Sequence, residues 1–362
     1  KIKGVNRHQD RPDKGWAISS ADHREDMSLI KEIGANGIRL AHYPHSDEFY
    51  TLCDREGMLV WAEIPLVGKA LDTPEFTENM KTELTELIRQ NFNHPSIFCW
   101  SLCNELSKGD VKGLISELNS VSHREDPGRL TVLAANVEKR PENAVPDIMA
   151  FNTYPGWYWA EPSEMKSTLE RWNRQCGNKG IAVSEYGAGA NVWHHWQTGK
   201  KTPKADGVFH PEEWQATVHE QTYDAIKRSG FAWGSFVWNM FDFASASRNE
   251  GDMPGMNDKG LVSYDRKIRK DAFYFYQSEE PVVHIASRRD VARRDSLTDV
   301  KVYTNCETVR LKVNGKDCGS PERNGSICIW RKVGLKHGEN QVEAFGHRGG
   351  QEFSDRCKWV LF

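Results

Sequence analysis

No run of apolar residues in this sequence approaches the length that a helical membrane span requires, so no membrane partner is expected. The eight cysteines form no C-x-x-C pair and no Cys/His spacing of the zinc-binding kind. Cys99 and Cys103 fall inside one apolar run and read as small buried hydrophobes, so no disulfide framework is implied and the redox compartment stays open. Neither sign of charge prevails. The net charge is −3 with acids and bases interspersed, which excludes the basic stripe of a nucleic-acid binder. From Pro281 onward bases outnumber acids, a bias that reads first as a solvated surface and only second as a contact for an anionic polymer. There is no internal repeat and no low-complexity tract. The sequence opens at Lys1-Ile2-Lys3-Gly4-Val5, without initiator Met or signal peptide and already in a strand pattern. It therefore reads as a piece of a longer protein whose targeting segment would lie upstream.

What is present is an alternation. With 362 residues there is room for one large domain and a small one. Short apolar runs alternate with longer amphipathic segments, the pattern of β/α units around a parallel sheet. The runs are Ile2–Asn6, Gly37–Ala41, Leu59–Glu63, Ile97–Cys103, Leu130–Ala134, Ile148–Asn152, Ile181–Glu185 and Gly234–Trp238. Eight such strands close a (β/α)8 barrel. Helices are predicted over Ser20–Ile33, Asp47–Glu56, Thr77–Asn91, Glu164–Cys176 and Pro211–Ser229, and a long loop rich in Trp and His over Val192–His210. After Phe275 the period shortens to that of antiparallel strands: Val300–Thr304, Val309–Val313, Ile327–Arg331 and Gln341–Phe345. The pairs Asn314-Gly315, Asn324-Gly325 and His337-Gly338 separate them. The expected organisation is a catalytic α/β TIM barrel over residues 1–280 and a small all-β, immunoglobulin-like sandwich over 281–362.

In a β/α barrel the chemistry gathers where the strands end. Here the first strand delivers His8, and the second Arg39 and His42. Glu63 ends the third, Asn104-Glu105 the fourth and Asn136 the fifth. The sixth gives Asn152 and Tyr154, the seventh Glu185 and the eighth Trp238. Nearly every strand finishes on a group that can bind a polyol or move a proton. A carboxylate alone at a strand end most often pairs with an arginine at the rim. Two of them on strands four and seven, among Asn, Tyr, His and Trp, also suit retaining glycoside hydrolysis, which needs carboxyls about 5–5.5 Å apart. The thirteen tryptophans can supply sugar-stacking faces as well as core.

The segments "KGVNRHQD", "GIRLAHYPHSDEFYTLCDREGMLV", "HPSIFCWSLCNE", "FNTYPGWY", "VSEYGAG" and "WNMFDF" resemble glycoside hydrolase family 2, in family order, from Lys1 to about Ser278. The resemblance implies a retaining exo-β-glycosidase with Glu185 as nucleophile and Glu105 as acid/base. It implies that Asn104 bonds the sugar 2-hydroxyl, that Tyr154 steadies the nucleophile, and that His42, Trp238, Asn152 and, less directly, His8 line the glycone subsite. "GMNDKGLVSYDRKIRKDAFYFYQS" is most similar to β-galactosidases of polysaccharide-degrading gut and marine bacteria, so a β-D-galactoside is the preferred substrate. Asn257-x-Lys259 fits instead the motif with which β-glucuronidases grip a sugar carboxylate, and a β-glucuronidase is the alternative. A further one is a carbohydrate-binding scaffold without hydrolysis. The jelly-roll and immunoglobulin-like domains that precede the barrel in the family have no counterpart here, so this piece is expected to bind sugars weakly by itself. "AEIPLVGKAL" supplies no metal ligand beyond Glu63. No metal and no other cofactor is predicted. The expected partner is an oligosaccharide or a polysaccharide-derived substrate. An oligomer is compatible with the sequence, and so is a periplasmic, secreted or cytoplasmic bacterial location.

Overall fold

Each apolar run is short and buried on both faces, which suits a parallel strand flanked by helices better than it suits a helix. In a computed structural model that describes residues 1–106, 111–137, 139–196 and 202–362, these runs form eight parallel strands. They are β1 (Ile2–Arg7), β2 (Gly37–Leu40), β3 (Leu59–Glu63), β4 (Ile97–Asn104), β5 (Leu130–Ala135), β6 (Ile148–Asn152), β7 (Ile181–Tyr186) and β8 (Ala232–Val237). β1 pairs with β2 on one side and with β8 on the other, so the sheet closes into a barrel. Side chains fill its interior: Trp61, Cys99, Val132, Ala150, Ala182 and Phe236 form one buried cluster. Phe236 lies so close to Gly4 that a Cβ there would sit 2.3 Å from its ring, which is why β1 carries a glycine.

The helices pack outside. They are α1 (Ser20–Glu32), α2 (Asp47–Glu56), α3 (Pro74–Asn91), α4 (Lys112–Glu125), α5 (Met165–Gln175), α6 (Glu212–Arg228) and the short α7 (Asp271–Tyr276). Ser19 and Asp22 cap α1 reciprocally. Thr73 caps α3, with Pro74 in its first turn, so this helix starts ahead of the predicted Thr77. α4 was not among the predicted helices. Its buried stripe of Ile115, Leu118, Val121 and Ser122 is narrow and interrupted by polar residues, a weak periodic signal.

The C-terminal segment forms two sheets. One orders Val283–Ile285, Leu297–Thr304, Ile327–Gly334 and Glu322–Asn324; the other orders Ala292–Arg293, Gln351–Leu361, Gly338–Arg348, Thr308–Val313 and Lys316–Asp317. Val300, Val302, Leu311, Trp330, Val342 and Trp359 make their shared core. Asn314 and Gly315 both have positive φ, 53° and 78°, as a tight hairpin turn requires. The long last strand was absent from the sequence expectation because polar and charged residues occupy most of it and its deepest burial is at Trp359 and Leu361. No helix among the described residues is long and apolar enough to cross a membrane.

Candidate active site

The carboxyl ends of the barrel strands are where the ladder becomes irregular. Register shifts fall between Ser101 and Asn104 on β4, between Phe151 and Asn152 on β6, and between Val183 and Tyr186 on β7. Such irregularities turn side chains that would otherwise follow the pleat, and here they occur beside Asn104, Asn152 and Glu185. Glu105 follows directly with φ of 54°, a left-handed conformation that costs a non-glycine residue roughly 1–3 kcal/mol. Its backbone N–H donates to Ala134 O at 2.8 Å, which ties the strained residue to β5. After β7 the chain must pass under Trp238: a Cβ on Gly187 would sit 2.7 Å from Trp238 O, so the residue after Glu185-Tyr186 has to be glycine.

Arg39, fully buried at the end of β2, is the hub. It donates to Glu63 (2.9 and 3.1 Å), to Glu185 Oε1 (2.7 Å), to Asn104 Oδ1 (2.7 Å) and to Asn6 Oδ1 (3.1 Å). Taking a guanidinium out of water costs several kcal/mol, and two buried carboxylates with two amide oxygens offset that cost. Glu185 also accepts from Tyr154 Oη at 2.6 Å. Burial first, and then the charge of Glu185, push the Tyr154 phenol well above its ordinary value, so it remains a proton donor toward the carboxylate.

Glu105 is held differently. Asn152 Nδ2 donates to Glu105 Oε1 at 2.8 Å and to Asn104 Oδ1 at 3.1 Å, while Asn152 Oδ1 accepts from Ser184 Oγ at 2.6 Å. Burial and then the negative charge of Glu185 raise the Glu105 carboxyl above its usual range, against the pull of Asn152, His42 and Arg39. The rim-pairing alternative therefore holds for one carboxylate of the two: Glu185 has an arginine, whereas Glu105 has no ion pair among the described residues. A carboxylate held by an arginine and a phenol, beside one whose proton affinity is raised by burial and a negative neighbour, is the division of labour that acid-assisted displacement needs.

His42 Nδ1 bonds Glu63 Oε1 at 2.6 Å, which assigns its proton to that nitrogen and leaves Nε2 3.9 Å from Glu185 Oε1. The ring stacks on Trp238 (centroids 5.0 Å apart, interplanar angle 17°). His8 packs against the same wall, stacked 4.0 Å from Phe243 and edge-on to Trp238 at 5.4 Å.

Lys259 adjoins this wall through its backbone, whose carbonyl accepts from Asn239 N–H just beyond Trp238. Its ammonium lies 5.0 Å from the Tyr158 ring, and that ring meets Tyr154 edge-on at 5.2 Å. Asn257 is fully buried beside it; its Oδ1 accepts from Lys259 N–H at 3.1 Å, and its Nδ2 has no hydrogen-bond partner among the described residues.

The structure thus brings together Asn104, Glu105, Asn152, Tyr154, Glu185, His42, Trp238 and His8, with Asn257 and Lys259 one aromatic ring away. Asn136 stays outside: it is exposed and lines a separate hollow with Arg140 and Glu142. Glu63, noted as a strand end and as the one potential metal ligand of its segment, proves to be the anchor of Arg39 and His42. Sequence reasoning gave Arg39 no role, although an arginine inside the apolar strand "GIRL" is itself a signal. Ser184, Glu250 and Tyr158 were missed, and for loop residues such as Glu250 the sequence offers no periodic cue. Of the long loop predicted at Val192–His210, residues 197–201 lie outside the described residues; Val192 and Trp193 on one flank and 202–206 on the other line surface cavities.

A family model described as "Glycosyl hydrolases family 2, TIM barrel domain" matches residues 1–284, and a "Domain of unknown function (DUF4982)" matches residues 295–354. A β-glucuronidase of Bacteroides fragilis is 43% identical over 355 residues, covering 94% of this chain and 51% of its own. Among solved structures, a "putative beta-galactosidase" from Bacteroides fragilis superposes with a TM-score of 0.95 at 35% identity over 100% of this chain and 55% of its own. An FMN-binding β-glucuronidase from Facaelibacterium prausnitzii L2-6 gives 0.93 at 37%, over 100% and 56%. The chain spans about half the length of the relatives it matches.

Proposed function

The chain belongs to glycosyl hydrolase family 2, and from that premise we propose that it is the catalytic half of a retaining β-glucuronidase. Glu185 is the nucleophile: it attacks the anomeric carbon as the glycosidic bond breaks, and forms a covalent glycosyl ester. Glu105 delivers its proton to the leaving oxygen, then takes a proton from the water that releases the sugar. Arg39 and Tyr154 hold Glu185 in place, Asn104 binds the sugar 2-hydroxyl, and Asn152 orients Asn104 and Glu105. His42, Trp238 and His8 form the glycone wall. Residues 1–280 make up the catalytic unit and 281–362 a separate β-sandwich.

The preference for galactosides is corrected here. The similarity to proteins named β-glucuronidase supports the alternative better, and one observation carries it: the Lys259 side chain is buried, and Asn257, which accepts from the Lys259 backbone N–H, has a side-chain donor with no partner among the described residues. A galactose ring has no group that needs a buried cation, whereas a uronate carboxylate matches an ammonium and an N–H together.

The test is a panel of aryl β-glycosides given to the full-length protein. The glucuronide should be turned over at least about a hundredfold more efficiently than the galactoside, in keeping with loss of a charged contact. Glu185→Gln should abolish turnover, and a 2-fluoroglucuronide should label Glu185 in the wild type. Faster release from the galactoside would overturn the substrate assignment, and undiminished turnover by Glu185→Gln the mechanism.

A further inference from the structure

The ammonium that would receive a uronate already carries a carboxylate. Glu250 Oε2 lies 2.8 Å from Lys259 Nζ and 2.7 Å from Arg248 Nη1, and Tyr158 Oη donates to Glu250 at 3.0 and 3.1 Å. Burial disfavours the Glu250 charge, but Lys259 and Arg248 outweigh it and hold the carboxyl below its ordinary value, so it is an anion in the pH range of interest. The Lys259 side chain is 1% exposed and that of Glu250 is 21% exposed: the carboxylate covers the cation.

A substrate carboxylate arriving with Glu250 in place would have to share Lys259 Nζ with a carboxylate that Lys259 and Arg248 already hold, out of reach of most solvent. Like charges a few ångströms apart there disfavour each other strongly. One of them must leave, and the structure gives Glu250 room to do so. It lines two cavities, one of about 270 Å³ beside Trp193 and Met253 and one of about 550 Å³ beside Trp159 and Lys204. Neither of them is lined by Glu105 or Glu185. Lys259, by contrast, is pinned through its backbone to Asn239 and Asn257. Gly260 beside it admits no side chain, since a Cβ would lie 2.0 Å from Asp242 N. The backbone under the cation is pinned, whereas its carboxylate cover borders open space on two sides.

We propose that Glu250 is an internal stand-in for the substrate carboxylate, which keeps Lys259 paired in the unliganded enzyme and must be displaced by a glucuronide before the sugar can seat. This rests on the glucuronidase reading and adds a specificity device to it. Sugars without a carboxylate cannot exchange for Glu250, so the cover admits uronates and resists neutral glycosides. Arg248 keeps the displaced carboxylate paired.

The experiment measures kcat and KM of the full-length enzyme on an aryl β-glucuronide, with D-glucuronate as a competitive inhibitor, for wild type, Glu250→Gln and Glu250→Ala. If a stand-in must be displaced, apparent affinity is reduced by the fraction of sites it occupies. Both variants should then lower KM and the D-glucuronate Ki, on the order of tenfold, with kcat changed less than about twofold. If Glu250 merely props Lys259 in place, KM and Ki rise instead, and that outcome or no change in either constant overturns the proposal. Wild-type turnover of the glucuronide with unimproved variants sinks this inference alone. Absence of glucuronide turnover in the wild type sinks the substrate assignment and this inference with it.

Discussion

At the scale of single residues, the two glutamates are distinguished by their partners and not by their own chemistry. Glu185 has Arg39 and Tyr154; Glu105 has a neutral amide and a negative neighbour. In the proposed mechanism Glu105 is protonated for the first step, so activity should fall as pH rises through its raised pKa. Replacing it by Gln should lower kcat about 10²–10⁴-fold on substrates with poor leaving groups and far less on activated aryl glycosides. The alkaline limb of the kcat profile should flatten in that variant; a limb that stays where it was would assign the titration to another group. Both glutamates were legible in the sequence, since Asn-Glu and Ser-Glu-Tyr-Gly end apolar runs that must surface at the barrel rim. Arg39, which orients Glu185, lay in plain view, but a lone arginine in a strand does not reveal which acceptors converge on it. That convergence depends on closure, which brings β1, β3, β4 and β7 around one side chain. Glu250 was illegible for the same reason: its partners Tyr158, Arg248 and Lys259 come from two loops that meet only in the folded molecule.

At the scale of elements, one buried ionic knot fastens the first strand to the helix that follows. Asp26 on α1 faces Arg7 of β1 at 2.8 Å, Arg11 at 2.7 Å and Arg266 at 3.0 Å, with the side chains of Asp26, Arg7 and Arg266 all fully buried. Asp26→Asn would leave three guanidiniums around a neutral amide, and breaking a buried pair typically costs about 3–5 kcal/mol. Burial disfavours the Asp26 carboxylate, but Arg7, Arg266 and Arg11 outweigh it and depress its pKa. A depressed carboxyl stabilises above its unfolded pKa of about 3.9 and loses that contribution as pH falls through the folded value. Denaturant unfolding should therefore show the full Asp26→Asn deficit at pH 7 and a shrinking one below about pH 4; a deficit independent of pH would remove the charge from the explanation. The strands were legible because parallel strands buried on both faces read as uninterrupted apolar runs. α4 was not legible: its inward stripe is only one residue wide for most of its length, with Glu117, Asn119 and Ser120 between its apolar positions. The final strand was hidden for the opposite reason, since its solvent-facing positions are polar or charged, with Glu352, Ser354, Arg356 and Lys358 exposed.

At the scale of the whole molecule, the barrel and the sandwich meet through carboxylates that neither unit could bury alone. Asp271 of α7 accepts from His284 at 2.8 Å and from Ser287 N–H at 2.6 Å, and Arg289 bonds Glu212 of α6. Lys301 reaches Glu220 at 2.7 Å across the same seam. The composition bias after Pro281 was legible and the destination of its bases was not: Arg289 and Lys301 neutralise barrel acids. Glu212 is completely buried, and burial, followed by the charge of Asp271, raises its pKa while Arg289 opposes the rise. A carboxyl whose folded pKa is raised binds its proton more tightly in the native state. Its contribution is thus fully present below the unfolded pKa of about 4.3 and lost as pH climbs through the folded value. Removing Arg289 takes away the cation that makes an ionised Glu212 tolerable there. Arg289→Ala should then destabilise the chain modestly at pH 5 and by up to about 3–5 kcal/mol at pH 8, where two buried carboxylates would face each other with no arginine between them. Because the seam is the joint, the loss should also uncouple the two units, with calorimetry resolving a single transition at pH 5 into two at pH 8. An equal penalty at both pH values would mean that Arg289 acts by packing, and that the joint is held by the neutral contacts of Ser287 and the stacked Tyr274–His284 pair.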